Sequence, residues 1–375
     1  MRDVLAELTS IWRSGGTAGV ATVVRTRGSS PRPAGAVMVV APDGSVAGSV
    51  SGGCVEAAVY ELAVDVARGG RPRLESYRAR DEDPFVAGLT CGGEIDIFAE
   101  PVSRQTFPQL QAVADDIAAD RPTAVATVIA APESGGLGRR LVVTPDSVTG
   151  SLGSAGVDGV VAGRIRGLLD AHHSGVIRCG GDGLCQDSGM EVFVGSYGPR
   201  ARMVIFGAID FAAALAHQGA LLGYRVTVCD ARPRFTTADR FPAADEVVVD
   251  WPHRYLAGQA RQGALDARTV ICVLTHDPKF DVPVLRVALR LRGGGYVGAM
   301  GSRRTHADRL RRLRAAGLTD TELGRLRGPI GLDLGARTPQ ETAVSIAAEI
   351  IAGNRGGGGR RLADIEGRIH HDRIS

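Results

Sequence analysis

The hydrophobic and polar positions follow two different patterns along the chain. In residues 1–197, short β-branched runs alternate with glycine-rich turns and single amphipathic helices, a pattern typical of an α+β domain. From Arg202 onward, continuous apolar strands alternate with helices, which is typical of a parallel sheet covered on both faces. We therefore predict an α/β protein whose first domain is followed by a Rossmann-like, doubly wound parallel-sheet domain at residues 198–353. Residues 354–375 are glycine-rich and polar and are predicted to form a disordered tail.

The periodicity also predicts the individual elements. In the first domain these are strands at 20–26, 74–80 and 94–100, a hairpin of 36–41 with 45–50, and a helix at 55–67. In the second domain we predict helices at 211–222, 281–292 and 305–316. A last helix is predicted to begin at Thr338, where Pro339 and Glu341 complete a capping box.

The first domain contains an internal repeat. The repeated segments are VATVV at 20–24 with VATVI at 125–129, MVVAPD at 38–43 with LVVTPD at 141–146, and GSV at 48–50 with GSL at 150–152. The offset falls from 105 to 102, as small deletions after a duplication would produce. We predict two halves, about residues 1–104 and 105–197. In this alignment Cys54 corresponds to Gly156, and Glu56 corresponds to Asp158. Only the first half therefore has a cysteine at this position.

Composition narrows the class of protein. Hydrophobic residues are 44% and charged residues 23% of 375, which is ordinary for a globular protein. The formal charge of +3 is too small to argue for a nucleic-acid partner. The N-terminus lacks the apolar stretch of a signal peptide, and no apolar run approaches the roughly 20 residues of a membrane span, so we expect a cytoplasmic protein. The six scattered cysteines predict reduced thiols and no direct metal site.

The sharpest candidate for chemistry is a Gly-Gly-Cys turn between a predicted strand and a predicted helix. Ser51, Gly52 and Gly53 bring backbone N–H groups to a helix N-terminus, which predicts an anion site. A cysteine at such a helix end is a candidate thiolate, which makes Cys54 a candidate reactive residue. The alternative is that Cys54 is a small buried residue in a tight turn, as most cysteines outside disulfides are.

Two further residues extend this candidate site. Cys91 lies in a second Cys-Gly-Gly bend and is the natural second sulfur, although the sequence does not determine whether it faces Cys54. Arg32, in a loop rich in proline and glycine, is a plausible partner for an anionic ligand.

The start of the second domain has the position of a dinucleotide fingerprint. Gly207 supplies the tight turn, and Asp230 ends the next strand where a ribose-binding carboxylate is expected. However, Ile209 occupies the place of the glycine that admits a pyrophosphate, and Asp210 puts a negative charge near the helix N-terminus. Both residues weaken the prediction of bound NAD(P).

Two later strand ends carry polar residues on the side where open α/β sheets bind ligands. His276 could orient or protonate a ligand, with a polar turn as the equal alternative. Ser302 and Arg303 open a helix and resemble an anion clamp. The arginines that follow, among them Arg309, are expected to be mostly surface charge.

Five motifs occur in one order along the chain. They are GSSPR at 28–32, SGGCVE at 51–56, THD at 275–277, GSR at 301–303 and PIGLDLGARTP at 329–339. In their combination, over about residues 1–352, the chain resembles the XdhC/CoxI family of accessory proteins for xanthine dehydrogenase and carbon monoxide dehydrogenase. That family commonly has a glycine-rich turn with a histidine where this chain has Gly207-Ala208-Ile209-Asp210, and the departure puts nucleotide binding in doubt.

The resemblance implies a maturation factor rather than a metabolic enzyme. Such a protein binds the molybdenum cofactor, as molybdopterin or its dinucleotide form, protects it during sulfuration, and delivers it to an apo-molybdenum hydroxylase. A cysteine desulfurase-type sulfur donor is the second implied partner. In this interpretation Cys54 faces molybdenum or sulfur, Arg32 and Arg303 pair with phosphate, and His276 orients the pterin or nucleotide portion.

Two alternatives belong to other functional classes. One is an NAD(P)-dependent oxidoreductase built on the second domain, which would bind NADH saturably and turn it over. The other is a scaffold that recruits the target and the sulfur donor without holding cofactor, which equilibrium dialysis against molybdopterin would distinguish. The target enzyme, the cofactor form and the oligomeric state, including a homodimer, stay open.

Overall fold

The computed structural model describes residues 1–28, 32–78, 93–131, 136–170, 173–179, 189–291, 293 and 295–366. It divides into two compact units, with the boundary between Pro199 and Arg200. The predicted fold class is confirmed, because two five-stranded antiparallel sheets form the first unit and a six-stranded parallel sheet forms the second. Cys91 lies outside the described residues.

The two sheets of the first unit have corresponding strands. The first sheet contains β1 (Ala18–Arg27), β2 (Val37–Val40), β3 (Val46–Gly48), β4 (Arg73–Tyr77) and β5 (Glu94–Val102). The second contains β6 (Thr123–Ala130), β7 (Arg140–Val143), β8 (Val148–Gly150), β9 (Gly175–Cys179) and β10 (Met190–Tyr197). Their orders, β3-β2-β1-β5-β4 and β8-β7-β6-β10-β9, place corresponding strands in corresponding positions. This agreement supports the internal duplication inferred from the repeated segments.

In both halves of the first unit, a helix follows the third strand of the sheet. The helices of this unit are α1 (Leu5–Arg13), α2 (Glu56–Ala67), α3 (Leu110–Ala118) and α4 (Ala155–Asp170). The third strand of each sheet leads into α2 or α4. Val59 of α2 packs in a cluster with the first sheet, and Val161 of α4 packs in a cluster with the second, because apolar residues recur on one face of each helix.

A common core and a buried ion pair join the two halves of the first unit. One hydrophobic cluster includes Val20 of β1 and Val125 of β6. Nη2 of Arg140 lies 2.5 Å from Oε1 of Glu100, with side-chain exposures of 5% and 9%. Burial raises the pKa of Glu100, although the charge of Arg140 opposes the shift. The Arg140 guanidinium also lies 4.6 Å from the ring centre of Phe107.

The second unit is a parallel sheet with a reversal of strand order. Its strands are β11 (Arg202–Phe206), β12 (Arg225–Asp230), β13 (Glu246–Val249), β14 (Val270–Val273), β15 (Val297–Ala299) and β16 (Leu326–Arg327). They lie in the order β13-β12-β11-β14-β15-β16, and every adjacent pair is parallel. In sheets of this order a ligand crevice opens at the carboxyl ends of the strands between the first and the fourth.

Helices cover both faces of this sheet. They are α5 (Asp210–Leu221), α6 (Pro252–Arg261), α7 (Pro278–Ala288), α8 (Arg303–Ala315), α9 (Asp320–Leu323) and α10 (Pro339–Arg355). Alternate residues of β11 face opposite sides: Val204 packs with α6, α7 and α8, and Ile205 packs with α5 and α10. Within the described part of the chain, none of the helices has both the length and the hydrophobicity to cross a bilayer.

Capping residues explain where the helices of the second unit begin. The capping box of Thr338 and Glu341 at the start of α10 is confirmed. Helix α7 begins three residues earlier than predicted, because the Asp277 carboxylate accepts a hydrogen bond from Lys279 N and Pro278 suits the first helical position. Helix α8 likewise begins at Arg303, two residues earlier than predicted, because Ser302 caps it.

Candidate functional site

The Cys54 turn is the loop that connects β3 to α2. Gly48 ends β3 with a φ of 78°, and a Cβ there would lie 2.2 Å from the carbonyl oxygen of Val37, so only glycine fits. Gly52 and Gly53 have φ values of 77° and 125°, and a Cβ on either would meet nothing within 4 Å. Their glycine requirement is therefore conformational: the positive φ turns successive N–H groups toward one point.

The carboxylate of Glu56 occupies that point. Gly53 N donates to it at 2.7 Å, and Ser51 N and Gly52 N each donate at 2.8 Å. The hydroxyl of Ser49 donates at 2.8 Å, and the hydroxyl of Ser51 is a fifth donor. We call these five donors and the Glu56 carboxylate the Glu56 cage. The N–H groups that the sequence predicts to bind an anion therefore converge on a side chain of the same loop.

The Glu56 cage keeps its carboxylate ionised. Partial burial raises the pKa of Glu56, but the hydrogen bonds from Ser51, Ser49 and Gly53 outweigh burial and lower it to about 2. Gly52 and Gly53 stay predicted donors to a ligand, and an external anion could use their N–H groups only if Glu56 moved away.

Cys54 lies inside the loop that the Glu56 cage holds. It is present as a thiol rather than in a disulfide, and its side chain is half-buried. It packs against the hydrophobic cluster of the first half that includes Val50 and Val55. A partly exposed thiol on a held loop is a suitable arrangement for contact with a soft metal or with sulfur.

Arg32 contacts the N-terminal segment of the chain. Its Nη2 atom lies 3.7 Å from the Asp3 carboxylate, and the Arg32 side chain is 39% exposed. Exposed pairs at this distance contribute little to stability.

In the second unit, Gly207 brings two strand-end loops together. It has a φ of 121°, and a Cβ there would lie 3.1 Å from the backbone nitrogen of Thr275. The turn after β11 therefore packs directly against the loop after β14 that carries His276. These are the loops of the first and fourth strands, where the crevice is expected.

Asp230 supports this turn instead of projecting toward a ligand. It is 1% exposed. Its carboxylate accepts hydrogen bonds from Ala208 N at 2.8 Å, from Arg232 N and Nε at 2.9 Å, and from Arg232 Nη2 at 2.7 Å. Burial raises the pKa of Asp230, and the hydrogen bonds from Arg232 and Ala208 lower it below its usual value. Because four donors saturate a carboxylate, the predicted contact with ribose would require these bonds to break.

The helix α5 begins with the two residues that weaken the prediction of a bound pyrophosphate. Ile209 is the N-cap residue and Asp210 the first residue of the helix. Asp210 Oδ1 accepts a hydrogen bond from Arg240 at 3.2 Å, and the Asp210 side chain is 84% exposed. A carboxylate therefore stands at the helix end that a phosphate would use.

A buried network joins the loop that follows β14 to the loop that follows β15. The Thr275 hydroxyl donates to Asp281, and Arg309 Nη2 donates to Asp281 Oδ2 at 2.9 Å and to the Met300 carbonyl oxygen at 2.7 Å. Arg309 is 3% exposed, so its assignment to surface charge was wrong. Burial raises the pKa of Asp281 although Thr275 and Arg309 oppose the shift. His276 is exposed beside this network.

Ser302 and Arg303 lie at the N-terminus of α8, on the loop that this network holds. The Ser302 hydroxyl accepts a hydrogen bond from Thr305 N at 3.1 Å, so it serves as the helix cap. Arg303 is exposed at the first helical position. The structure thus places Gly207, Asp230, His276 and Ser302 at one edge of the sheet, as the strand order predicts.

Two family models match the chain. The model described as the XdhC Rossmann domain matches residues 203–350, and the model described as the XdhC and CoxI family matches residues 11–78 and 116–180. The chain belongs to the XdhC/CoxI family. The two segments that match the second model lie one in each half of the first unit, and the resemblance seen in the motifs is confirmed.

Relatives of this XdhC/CoxI protein span nearly its whole length. The molybdenum cofactor insertion chaperone PaoD of Escherichia coli is 28% identical over 351 residues, 94% of this chain and 88% of PaoD. A Bacillus subtilis protein named as a probable subunit of xanthine dehydrogenase is 28% identical over 334 residues, 88% of this chain and 92% of that protein. A solved structure from Bacillus halodurans, described as a xanthine dehydrogenase, has a TM-score of 0.71 at 26% identity and covers 96% of this chain and 97% of its own.

Sequence reasoning missed several residues that shape the sites of this XdhC/CoxI protein. Glu56 accepts hydrogen bonds from three N–H groups that precede it in the chain. Apart from its place at the start of a helix, nothing in the sequence predicts these bonds. Arg309 was missed because a basic helix suggests a solvated surface, and with it Asp281, its partner on α7. The available signal was spacing, since Arg309 lies one turn before the buried Leu313 on the same helical face.

Proposed function

We propose that this XdhC/CoxI protein is an insertion chaperone for the molybdenum cofactor, its cargo, and serves a molybdenum hydroxylase of the xanthine dehydrogenase or carbon monoxide dehydrogenase type. The observation that carries the proposal is similarity over 94% of the chain to a protein named a molybdenum cofactor insertion chaperone. The relatives named for xanthine dehydrogenase support the class of client enzyme. The apo-hydroxylase and a cysteine desulfurase-type sulfur donor are the proposed partners.

In this proposal Cys54 is the residue that faces the molybdenum or the sulfur that it acquires. Thiolate is a soft ligand and therefore suits both. Its half-buried position on a loop held by hydrogen bonds supports such a contact, because a held side chain gives up little freedom on binding.

The other proposed contacts concern the organic part of the cargo. Arg32 and Arg303 pair with phosphate, and His276 orients the pterin or nucleotide portion. Exposure of Arg303 and His276 at the crevice edge of the sheet supports these roles. Ser51, Gly52 and Gly53 line the cargo only where Glu56 gives up its hydrogen bonds, and Cys91 remains a proposed second sulfur.

The strand order of the second unit favours a nucleotide as a second candidate ligand. An NAD(P)-dependent oxidoreductase is nevertheless the weaker proposal. Asp230 is saturated by internal donors, and Asp210 stands where a pyrophosphate would bind. Saturable NADH binding with turnover would reverse this preference.

Co-expression with a target hydroxylase tests the proposed role of Cys54. We expect Cys54→Ala to lower hydroxylase activity and the content of sulfurated cofactor by about tenfold or more, since the contacting sulfur is lost. Cys54→Ser is the matched variant, because it keeps the shape of the side chain and puts an oxygen in place of the sulfur. Full maturation by both variants would remove Cys54 from the mechanism. Retention of molybdopterin in equilibrium dialysis separates a cofactor carrier from a scaffold.

A further inference from the structure

Cys54 lies between the donors and the acceptor of the Glu56 cage. Ser51, Gly52 and Gly53 precede the cysteine and Glu56 follows it, so the hydrogen bonds close a small ring of chain around the thiol. The Ser51 hydroxyl also accepts from Val55 N at 3.0 Å, which ties the residue directly after Cys54 into the same ring. The Glu56 carboxylate and the Ser51 hydroxyl therefore hold the backbone on both sides of Cys54.

Helix capping does not account for this arrangement. A capping side chain precedes the helix and accepts N–H groups of the first turn, and in a capping box such as that of α10 the glutamate at the third helical position reaches back to the N-cap N–H. Glu56 is instead the first residue of α2, and it accepts three successive N–H groups that lie three to five residues before it. These groups converge because Gly52 and Gly53 adopt positive φ, which glycine adopts without steric cost, and converging N–H groups form a site for an anion. The carboxylate thus stabilises a particular shape of the cysteine loop more than it stabilises the helix.

The second half of the first unit provides an internal control. Asp158 occupies the position that corresponds to Glu56, and its carboxylate accepts a hydrogen bond from Leu152 N at 2.7 Å. Gly153 is the residue with positive φ there, and Ser154 and Ala155 take the places of Gly52 and Gly53. The Glu56 cage therefore accompanies the cysteine and is absent from the described loop that has Gly156 instead.

We propose that Glu56 is a positioning residue for Cys54, which it serves by holding the backbone of residues 51–53. The proposal rests on the proposed function of Cys54. Glu56 does not touch the cargo in this role. Its loss leaves the thiol chemically intact but releases the loop into more open conformations, and the cargo then meets a cysteine that is no longer held in the binding direction.

The test measures alkylation of Cys54 by iodoacetamide in the folded full-length chain, read from the Cys54 peptide by mass spectrometry. Glu56→Gln keeps the length of the side chain but sets an amide NH₂ group against N–H donors. We expect the alkylation rate to rise about fivefold or more, with a smaller rise in Glu56→Asp, which keeps the charge but is too short to reach all donors. Buried Cys229 and Cys272, whose thiol pKa values burial raises, should stay unmodified in every variant and so report that the fold is intact.

Asp158→Asn is the matched control and should leave the Cys54 alkylation rate within about twofold of the parent. An unchanged rate in Glu56→Gln, or an equal rise in Asp158→Asn, would overturn the proposal. The maturation assay distinguishes a failure of the proposed role of Cys54 from a failure of the positioning role of Glu56. If Cys54→Ala matures the hydroxylase fully, the proposed function of Cys54 fails, whereas the alkylation rates still decide whether Glu56 positions it. If both hold, Glu56→Gln should also lower maturation.

Discussion

The two halves of the first unit build the same sheet but differ in the loop that follows its third strand. Gly48 and Gly150 end that strand with φ values of 78° and 87°, and a Cβ would lie 2.2 Å and 2.4 Å from a carbonyl oxygen of the neighbouring strand. Beyond these glycines the loops diverge. In the first half five donors hold Glu56, whereas in the second half Asp158 accepts from Leu152 N.

This difference separates what the scaffold needs from what the site needs. The glycine at the end of the third strand is kept in both halves because the close approach of the neighbouring strand excludes any side chain. The Gly52-Gly53 pair, Cys54 and the Glu56 cage occur together in the first half only, among the described residues. The second half keeps the same sheet without these features, so the first-half loop carries residues that the shared scaffold does not require.

The largest expected effect comes from the ion pair that joins the halves. Arg140→Met leaves the carboxylate of Glu100 buried without its partner. We expect the free energy of unfolding to fall by about 3–5 kcal/mol, measured by urea denaturation. The double variant with Glu100→Leu removes both charges and should recover most of the loss.

A loss below about 1 kcal/mol in Arg140→Met would show that the halves do not depend on this contact. Equal instability of the single and double variants would show that the shape of the side chains matters more than the unpaired charge.

The next effect tests the shared scaffold directly. Gly48→Ala and Gly150→Ala each place a methyl group against a carbonyl oxygen at a positive φ. We expect both to destabilise the protein by about 2 kcal/mol and by nearly equal amounts. Gly156→Ala is the control, since Gly156 lies in α4 with open space around its Cα, and alanine there should be neutral or slightly stabilising. Unequal losses at the two glycines would show that the halves no longer use this position in the same way.

Much of the fold could be predicted from the sequence, because it depends on periodic patterns. Alternating apolar strands and helices predict the parallel sheet, and the repeated segments around Val20 and Val125 predict the duplication. The edge of the parallel sheet that carries Gly207, His276 and Ser302 could also be predicted, since the carboxyl ends of parallel strands meet at one edge.

The contacts within the sites could not be predicted, since side-chain direction depends on neighbours distant in the sequence. Asp230 ends its strand as a ribose-binding acid would, yet Arg232 and Ala208 N turn it inward. Gly52 and Gly53 were expected to face a ligand, whereas they face Glu56. In each case a charged side chain of the protein itself occupies the place that the pattern assigned to a ligand.

The smallest expected effect concerns Glu56 and its pH dependence. Glu56→Gln removes hydrogen bonds to a carboxylate that is partly solvent-screened, so we expect a loss of only about 1 kcal/mol at pH 7, against less than about 0.5 kcal/mol for Asp158→Asn. The pKa of Glu56 is lowered from 4.5 to about 2, because hydrogen bonds from Ser51, Ser49 and Gly53 outweigh the effect of burial. A depressed folded-state pKa means that the contribution is complete above pH 4.5 and is lost as pH falls through that value toward 2.

Urea denaturation of the parent and of Glu56→Gln at pH 7, 5 and 3 checks this sign. The stability difference between them should be the same at pH 7 and 5 and smaller at pH 3, because protonation of the unfolded parent removes its advantage below the ordinary pKa of a glutamate. A difference that grows as the pH falls would mean that the donors prefer a neutral acid. The Glu56 cage would then not be an anion site, and the distinction drawn between the two halves would lose its electrostatic basis.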